Sequence, residues 1–143
     1  MSTTATYLSG SIATLISTGL NSLANNALVA GSAYSSGGGY LMAEVELVVT
    51  FGTNPTASTG ASIWWLRSID GSNTEDGGSS LTPARIPDLV IPFEVTTSAQ
   101  RIIRRCLIPP GTFTPLLKND GSGQSFASSG NTLKILPLTY QQG

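Results

Sequence analysis

Histidine is absent from this 143-residue sequence, and cysteine occurs once. Without histidine the chain lacks the usual general base near neutral pH and the commonest metal-binding side chain. The single cysteine, Cys106, excludes an internal disulfide, and its place within an apolar run is typical of a buried, unreactive thiol. The sequence therefore predicts no metal site, no cofactor and no histidine-dependent catalysis.

Charge is also scarce. Charged residues make up 10% of the chain, whereas about 25% is usual in soluble proteins. Seven basic and eight acidic residues give a net charge of −1. Because phosphate-driven binding needs a dense basic stripe, we expect no nucleic-acid partner. The polar surface must come mainly from Ser, Thr, Asn, Gln and Gly, a composition common in extracellular and virion proteins.

Long apolar runs are missing as well. No run approaches the roughly 20 residues that span a bilayer, and residues 1–30 lack the basic and apolar regions of a signal peptide. We therefore expect a soluble protein made in the cytoplasm, with no membrane partner. The length suits a single domain whose core can form without a disulfide framework.

Short apolar stretches separated by turn residues favour β-strands. In Tyr40–Phe51 the apolar residues Val45, Leu47, Val49 and Phe51 fall on one face of a strand. These four side chains are predicted to face the core. The other residues predicted to face the same core are Leu89, Ile91, Phe93, Val95, Leu133 and Ile135. Further strands are predicted at Ala27–Ala33, Ala61–Ile69, Leu89–Thr96, Gln100–Ile108, Thr112–Lys118 and Thr132–Leu138.

Turn chemistry supports this pattern. Pro109-Pro110-Gly111 matches a type II turn, which needs proline-like φ and then φ > 0. Asn25-Asn26 indicates another turn. With seven or eight strands and no convincing helix, the sequence predicts an antiparallel β-sandwich or barrel.

Residues 1–18 are rich in Ser, Thr, Ala and Gly, with scattered apolar side chains. We predict an extended N-terminal arm or edge strand, followed by a single β-sandwich domain over residues 19–143. The arm is too weakly patterned for a confident strand and too apolar to be well solvated. Its apolar residues are therefore candidates for contact with a partner: Tyr7, Leu8, Ile12, Leu15 and Ile16.

Six sequence blocks resemble a group of small structural proteins encoded by tailed phages, and their order spans most of Gly19–Leu138. The resemblance implies a capsid cement or decoration protein with a jelly-roll fold, present as a dimer or trimer. It also implies the major capsid protein as partner and a place on the capsid surface of the virion, after synthesis in the host cytoplasm. The blocks are Gly19–Asn25, Val45–Thr56, Ser68–Gly71, Thr97–Arg101, Pro109–Asn119 and Ser129–Lys134.

Four further residues are candidates for the partner interface. Trp64 and Trp65 are adjacent on a predicted strand, so their side chains point to opposite faces and only one can enter the core. We expect the other indole to be an exposed anchor or to be covered by a neighbouring subunit. Arg101 and Arg105 share one strand face and could pair with acidic groups on a partner shell.

Two alternative functions remain open at this point. The two tryptophans, with Tyr34, Tyr40 and Tyr140, could form a stacking platform in a carbohydrate- or receptor-binding module of a tail fibre. Glu44 and Glu46 lie about 6.5–7 Å apart along a strand, which overlaps the geometry of inverting glycosidases. A solvent-facing pair explains these carboxylates equally well, and we predict a non-enzymatic protein.

A calcium site is a further alternative. Acidic and amide side chains cluster in the long segment Asp70–Pro87, at Asp70, Asn73, Glu75 and Asp76, and Asp120 could add another oxygen. Their spacing misses the alternating ligand pattern of known calcium loops. The segment is predicted to be a solvated polar loop.

Overall fold

A computed structural model of the chain describes residues 5–37 and 39–142. In this part of the chain the regular structure consists of β-strands and one short 3₁₀ turn, Thr18–Leu20. No helix among these residues is long and apolar enough to cross a membrane. The strands are β1 (Ala5–Ser9), β2 (Ala13–Ile16), β3 (Leu28–Ala30), β4 (Tyr34–Ser35), β5 (Met42–Val49), β6 (Gly60–Arg67), β7 (Leu89–Pro92), β8 (Gln100–Leu107), β9 (Thr112–Asp120) and β10 (Thr132–Gln142).

The strands form two antiparallel sheets that enclose a common core. Sheet A has the order β1-β10-β5-β8, and β2 follows β1 along β10. Sheet B has the order β3-β9-β6-β7, and β4 follows β3 along β9. With β1–β2 and β3–β4 each counted as one interrupted strand, the eight strands have the orders 1-8-3-6 and 2-7-4-5. This is the strand order of a jelly roll, and the predicted antiparallel β-sandwich is confirmed.

The core follows the alternation that the sequence predicts for β5. Val45, Leu47 and Val49 are fully buried, whereas the residues between them are partly exposed. Just beyond the strand, Phe51 packs edge-on against Phe93, with ring centroids 5.0 Å apart, and against Phe126 at 5.4 Å. The other predicted core residues that are buried or packed against this core are Leu89, Ile91, Leu133 and Ile135.

The predicted strand Leu89–Thr96 ends early. β7 stops at Pro92, and Val95 is half exposed, so its predicted place in the core is wrong. Proline has no N–H to donate to a sheet ladder. Beyond it the chain leaves the strand, and the amide of Phe93 donates to the carbonyl of Thr59 at 2.9 Å.

Two predicted turns have the expected backbone. Gly111, between β8 and β9, has φ of 81°, a left-handed conformation that glycine adopts without steric cost. Asn26 has φ of 62°, and its Oδ1 accepts a hydrogen bond from the amide of Gly121 at 2.9 Å. Asn25 binds the amide of Gly123 in the same way at 2.9 Å, so this turn is fastened to the loop after β9.

The N-terminal segment belongs to sheet A. β1 pairs with β10 from Ala5 opposite Gln142 to Ser9 opposite Leu138, and β2 continues along the same strand. Leu15 and Ile16 are 6% and 5% exposed and lie in the core. Their assignment to a partner interface is wrong, because side chains of this chain already cover them.

Candidate partner-binding face

The chain itself covers the outer face of sheet B along β6, whereas Val90 of β7, opposite Ser62, is 53% exposed. β6 is buried at every residue except Arg67. Trp65 points into the core against Phe113, with ring centroids 5.0 Å apart. Trp64 lies on the opposite side in a second buried cluster, and its indole N–H donates to the carbonyl of Arg85 at 3.1 Å. The prediction of one exposed or subunit-covered indole is wrong, and the partner interface argued from it loses that support.

The cover over Trp64 is the long loop of residues 68–88. β7 pairs with β6 only as far as Ile63, which leaves the rest of β6 without a strand on that side. Side chains of the loop bind its backbone instead. The amide of Trp65 donates to Asp88 at 2.7 Å, and the amide of Arg67 donates to Glu75 at 3.0 Å. The loop therefore replaces a missing strand.

Arg85 fastens this loop. Its guanidinium donates to Asp88 at 2.8 Å and to both carboxylate oxygens of Glu75, at 2.8 and 3.1 Å. The same group donates to the carbonyl of Trp65 at 3.0 Å. One side chain thus joins Glu75 and Asp88 of the loop to β6, and charge-assisted bonds of this kind are stronger than neutral ones.

We expect the loop to lose stability in acid. The hydrogen bonds from Arg85 hold the pKa of Glu75 below its usual value. A carboxylate with a lowered folded-state pKa stabilises the fold above its unfolded pKa, and this contribution disappears as pH falls through the folded value. The free energy of unfolding in urea should therefore decrease below about pH 4.5.

Glu75→Gln provides the control, because an amide oxygen still accepts a bond from the Arg67 amide but does not titrate. Its stability should depend less on pH over the same interval. An equal acid dependence in the two proteins would contradict the assigned role of Glu75.

The outer face of sheet A is open to solvent along β8. The outward side chains Ile103 and Leu107 are 49% and 73% exposed. The outward residues of β5 and β10 lie beside them in register, so that Arg105 is opposite Glu44 and Lys134 is opposite Glu46. We call this surface the open face, and its residues are Glu44, Glu46, Arg101, Ile103, Arg105, Leu107, Lys134 and Leu136.

The predicted arginines do meet on this surface. Arg101 contacts Glu46 at 2.8 Å, and Arg105 contacts Glu44 at 2.9 Å. Both arginines therefore have acidic partners within their own chain. The same contacts occupy the two carboxylates that the sequence offered as a glycosidase pair.

A groove crosses the open face. Its volume is about 320 Å³, and its lining includes Glu46, Lys134 and Leu136. Ile12 rises at one side from the break between β1 and β2 and is 71% exposed, while Ile103 lies at the other side. Of the predicted arm residues, Ile12 is the one that the structure brings to this groove.

The remaining candidates lie elsewhere. Leu8 is 37% exposed on β1. The backbone of Tyr7 pairs with that of Tyr140, but its side chain lies outside the described residues. Tyr34 packs edge-on against Phe113 at 5.5 Å. With both tryptophans buried, the predicted aromatic platform does not form.

The acidic loop residues have other partners. Asp70 accepts hydrogen bonds from the amides of Ser72 and Asn73, at 2.8 and 2.7 Å, and the bonds from Asn73 are the main cause of its lowered pKa. Among the described residues no group of His, Cys, Asp and Glu is arranged to hold a metal ion. Burial raises the pKa of the Cys106 thiol to about 11, which keeps it protonated at neutral pH.

Three residues of the groove escaped the sequence interpretation. Ile103, Lys134 and Leu136 were not singled out, because none of them belongs to a motif. Alternation along Gln100–Ile108 and Thr132–Leu138 was the available signal, since it assigns one side of each strand to solvent. The sheet register that brings these side chains together is not local to either strand.

Comparison with known proteins gives little further information. No family model matches the chain, and no curated protein matches its sequence. Among solved structures, a chain from the structure of infectious bursal disease virus Gx strain is similar over 95% of this chain at 15% identity, with a TM-score of 0.15. This chain spans 40% of the length of that viral chain. A similarity of this size carries no inference about function.

Proposed function

We propose that this protein is a non-enzymatic capsid decoration protein that binds the outer surface of a phage shell and stabilises joints between major capsid subunits. The sequence resemblance to structural proteins of tailed phages suggests the partner. The single structural observation that carries the proposal is the open face of sheet A, where exposed apolar side chains such as Ile103 and Leu107 lie beside paired charges and a groove. On sheet B the loop of residues 68–88 already covers the outward indole of Trp64.

The composition of the open face suits a protein interface. Non-obligate interfaces combine an apolar centre with polar and charged groups at the rim. The pairs Arg101–Glu46 and Arg105–Glu44 already hold four long side chains in place. Docking onto a pre-ordered surface costs less side-chain entropy than docking onto a mobile one.

Stabilisation of the shell would follow from mass action. A ligand that binds only the assembled state stabilises that state, and the effect increases with the logarithm of the ratio of free ligand concentration to Kd once that ratio is large. Many copies on one shell add many such contributions, so that a modest energy per site has a large total effect. The fold then needs no catalytic residue to perform its role.

The receptor-binding alternative loses its main support, because Trp64 and Trp65 are 3% and 1% exposed and cannot stack on a sugar. Copy number separates the two functions. Quantitative mass spectrometry of purified particles should find this protein in a fixed, high ratio to the major capsid subunit. A few copies per particle would instead indicate a tail component and would contradict decoration.

A further inference from the structure

We propose that the groove on the open face binds an extended segment of the shell protein that carries a carboxylate next to an apolar side chain, with Lys134 as the residue that selects the carboxylate. This inference rests on the proposed function. It assigns a contact chemistry and a specificity-determining residue to the surface described above.

The charges of the open face point to an anionic partner group. The face carries two carboxylates and three cations. Glu46 is paired with Arg101 and Glu44 with Arg105, while Lys134 forms no ion pair with any described residue. Docking would exclude water from the groove. Removing the hydration of the Lys134 ammonium group without giving it an anionic partner would cost free energy. A carboxylate on the partner removes that cost and completes the charge balance.

The walls of the groove indicate the rest of the ligand. Ile12 is 71% exposed and Ile103 is 49% exposed, one on each side of the cation. Because Glu46 and Arg101 in the lining pair with each other, these exposed aliphatic groups flank one cation that is unpaired among the described residues. They suit a partner segment with an apolar side chain beside an acidic one. The volume of about 320 Å³ lies at the lower end for ligand pockets, which suits a few side chains of a peptide segment.

The edge strand of sheet A explains why the proposed partner segment would contact this protein through side chains and not through backbone pairing. β8 is the edge strand, and Arg101, Arg104 and Arg105 are all exposed on it. Arg104 is opposite Val45, on the inward side of the strand. Charged and inward-pointing residues on an edge discourage the addition of another strand. We therefore expect a partner segment to bind to the side chains of the open face and not to pair with the backbone of β8.

Binding of variants to shells tests the groove. Purified protein is added to particles stripped of it, and bound protein is measured by cosedimentation. Lys134→Gln should bind at least about tenfold more weakly. Arg104→Gln, with the same change in net charge outside the groove, should bind within about twofold of the native protein.

An apolar pair of variants provides a second comparison. Ile12→Ser should weaken binding, whereas Ile69→Ser should not, because Ile69 is fully exposed on the loop of sheet B. Circular dichroism should be used to check that each variant is folded before its binding is compared. Equal binding of Lys134→Gln and the native protein would overturn the role of Lys134, and tighter binding would indicate a cationic partner instead.

Cross-linking identifies the partner group directly. The chain has two lysines, and the other, Lys118, lies 3.4 Å from Asp120. A carbodiimide joins a lysine amine to a carboxylate with loss of water, which the reagent takes up as it becomes a urea. Mass spectrometry of treated particles should find Lys134 linked to an Asp or Glu of the shell protein.

The remaining outcomes separate the two proposals. If the native protein binds shells but Lys134 links only to carboxylates of this chain or of a second copy, the groove assignment is overturned and decoration stands. If the native protein does not bind stripped shells at all, the proposed function itself fails.

Discussion

Replacing Phe51 with alanine is expected to lower the free energy of unfolding by about 3–5 kcal/mol. The ring is 1% exposed and lies within contact distance of Phe93 and Phe126, which also pack against each other at 5.9 Å. Alanine would remove the central ring of this cluster. The surrounding strands can close only part of the resulting cavity, so both transfer energy and packing energy are lost.

Urea unfolding followed by far-UV circular dichroism measures this loss. Val95→Ala is the matched control, because Val95 is 51% exposed just after β7. We expect its effect to be within about 0.5 kcal/mol. A loss below about 1 kcal/mol for Phe51→Ala would contradict a core centred on the phenylalanine cluster.

Replacing Arg85 with alanine is expected to release the loop of residues 68–88 from β6 and to cost about 2–3 kcal/mol. The variant removes the bonds to Glu75, Asp88 and the carbonyl of Trp65 together. The Arg85 side chain is 28% exposed, so the loss should be smaller than for a fully buried ion pair. Trp64 would then become exposed to water.

Tryptophan fluorescence reports this change. The emission of Arg85→Ala should shift to longer wavelength, and the shift should vanish when Trp64→Phe is added. Arg67→Ala is the control, since that side chain is 60% exposed and contacts the same Glu75 at 3.5 Å. It should cost less than about 1 kcal/mol and cause no shift. Unchanged emission in Arg85→Ala would contradict the role of Arg85 in holding the loop of residues 68–88 against β6.

Local sequence patterns were sufficient to predict the strands that have one side facing the core and the other facing solvent. β5 alternates between buried and partly exposed residues, and the predicted positions of Val45, Leu47 and Val49 were confirmed. The Pro109-Pro110-Gly111 corner was also predictable, because φ > 0 at Gly111 is a property of the residue itself.

The same reasoning failed for β6, because it assumed that one face of each strand meets solvent. Both faces of β6 are buried, one by the core and the other by the loop of residues 68–88. An unbroken apolar run from Ile63 to Leu66 was the available signal, since strands covered on both sides do not alternate. The hydrogen bonds from Arg85 to Glu75 and Asp88 join residues 10 and 3 positions apart within an irregular loop. No strand or helix pattern in the sequence marks these partners.

The N-terminal strands were predicted only as an extended arm or edge strand over residues 1–18. β2 has four residues, too few for an alternating pattern to be recognised, but β10 provides eleven residues of backbone against which both β1 and β2 pair. The candidate groove depends on the same pairing, because the break between β1 and β2 places Ile12 at the side of the groove opposite Ile103.

The temperature at which particles release their genome tests the central claim most directly. Particles that lack this protein should assemble but release DNA at a lower temperature than native particles, and addition of the purified protein should restore the native value. Lys134→Gln should restore it only at higher concentration. Release at the same temperature with and without the protein would contradict a role in stabilising the shell.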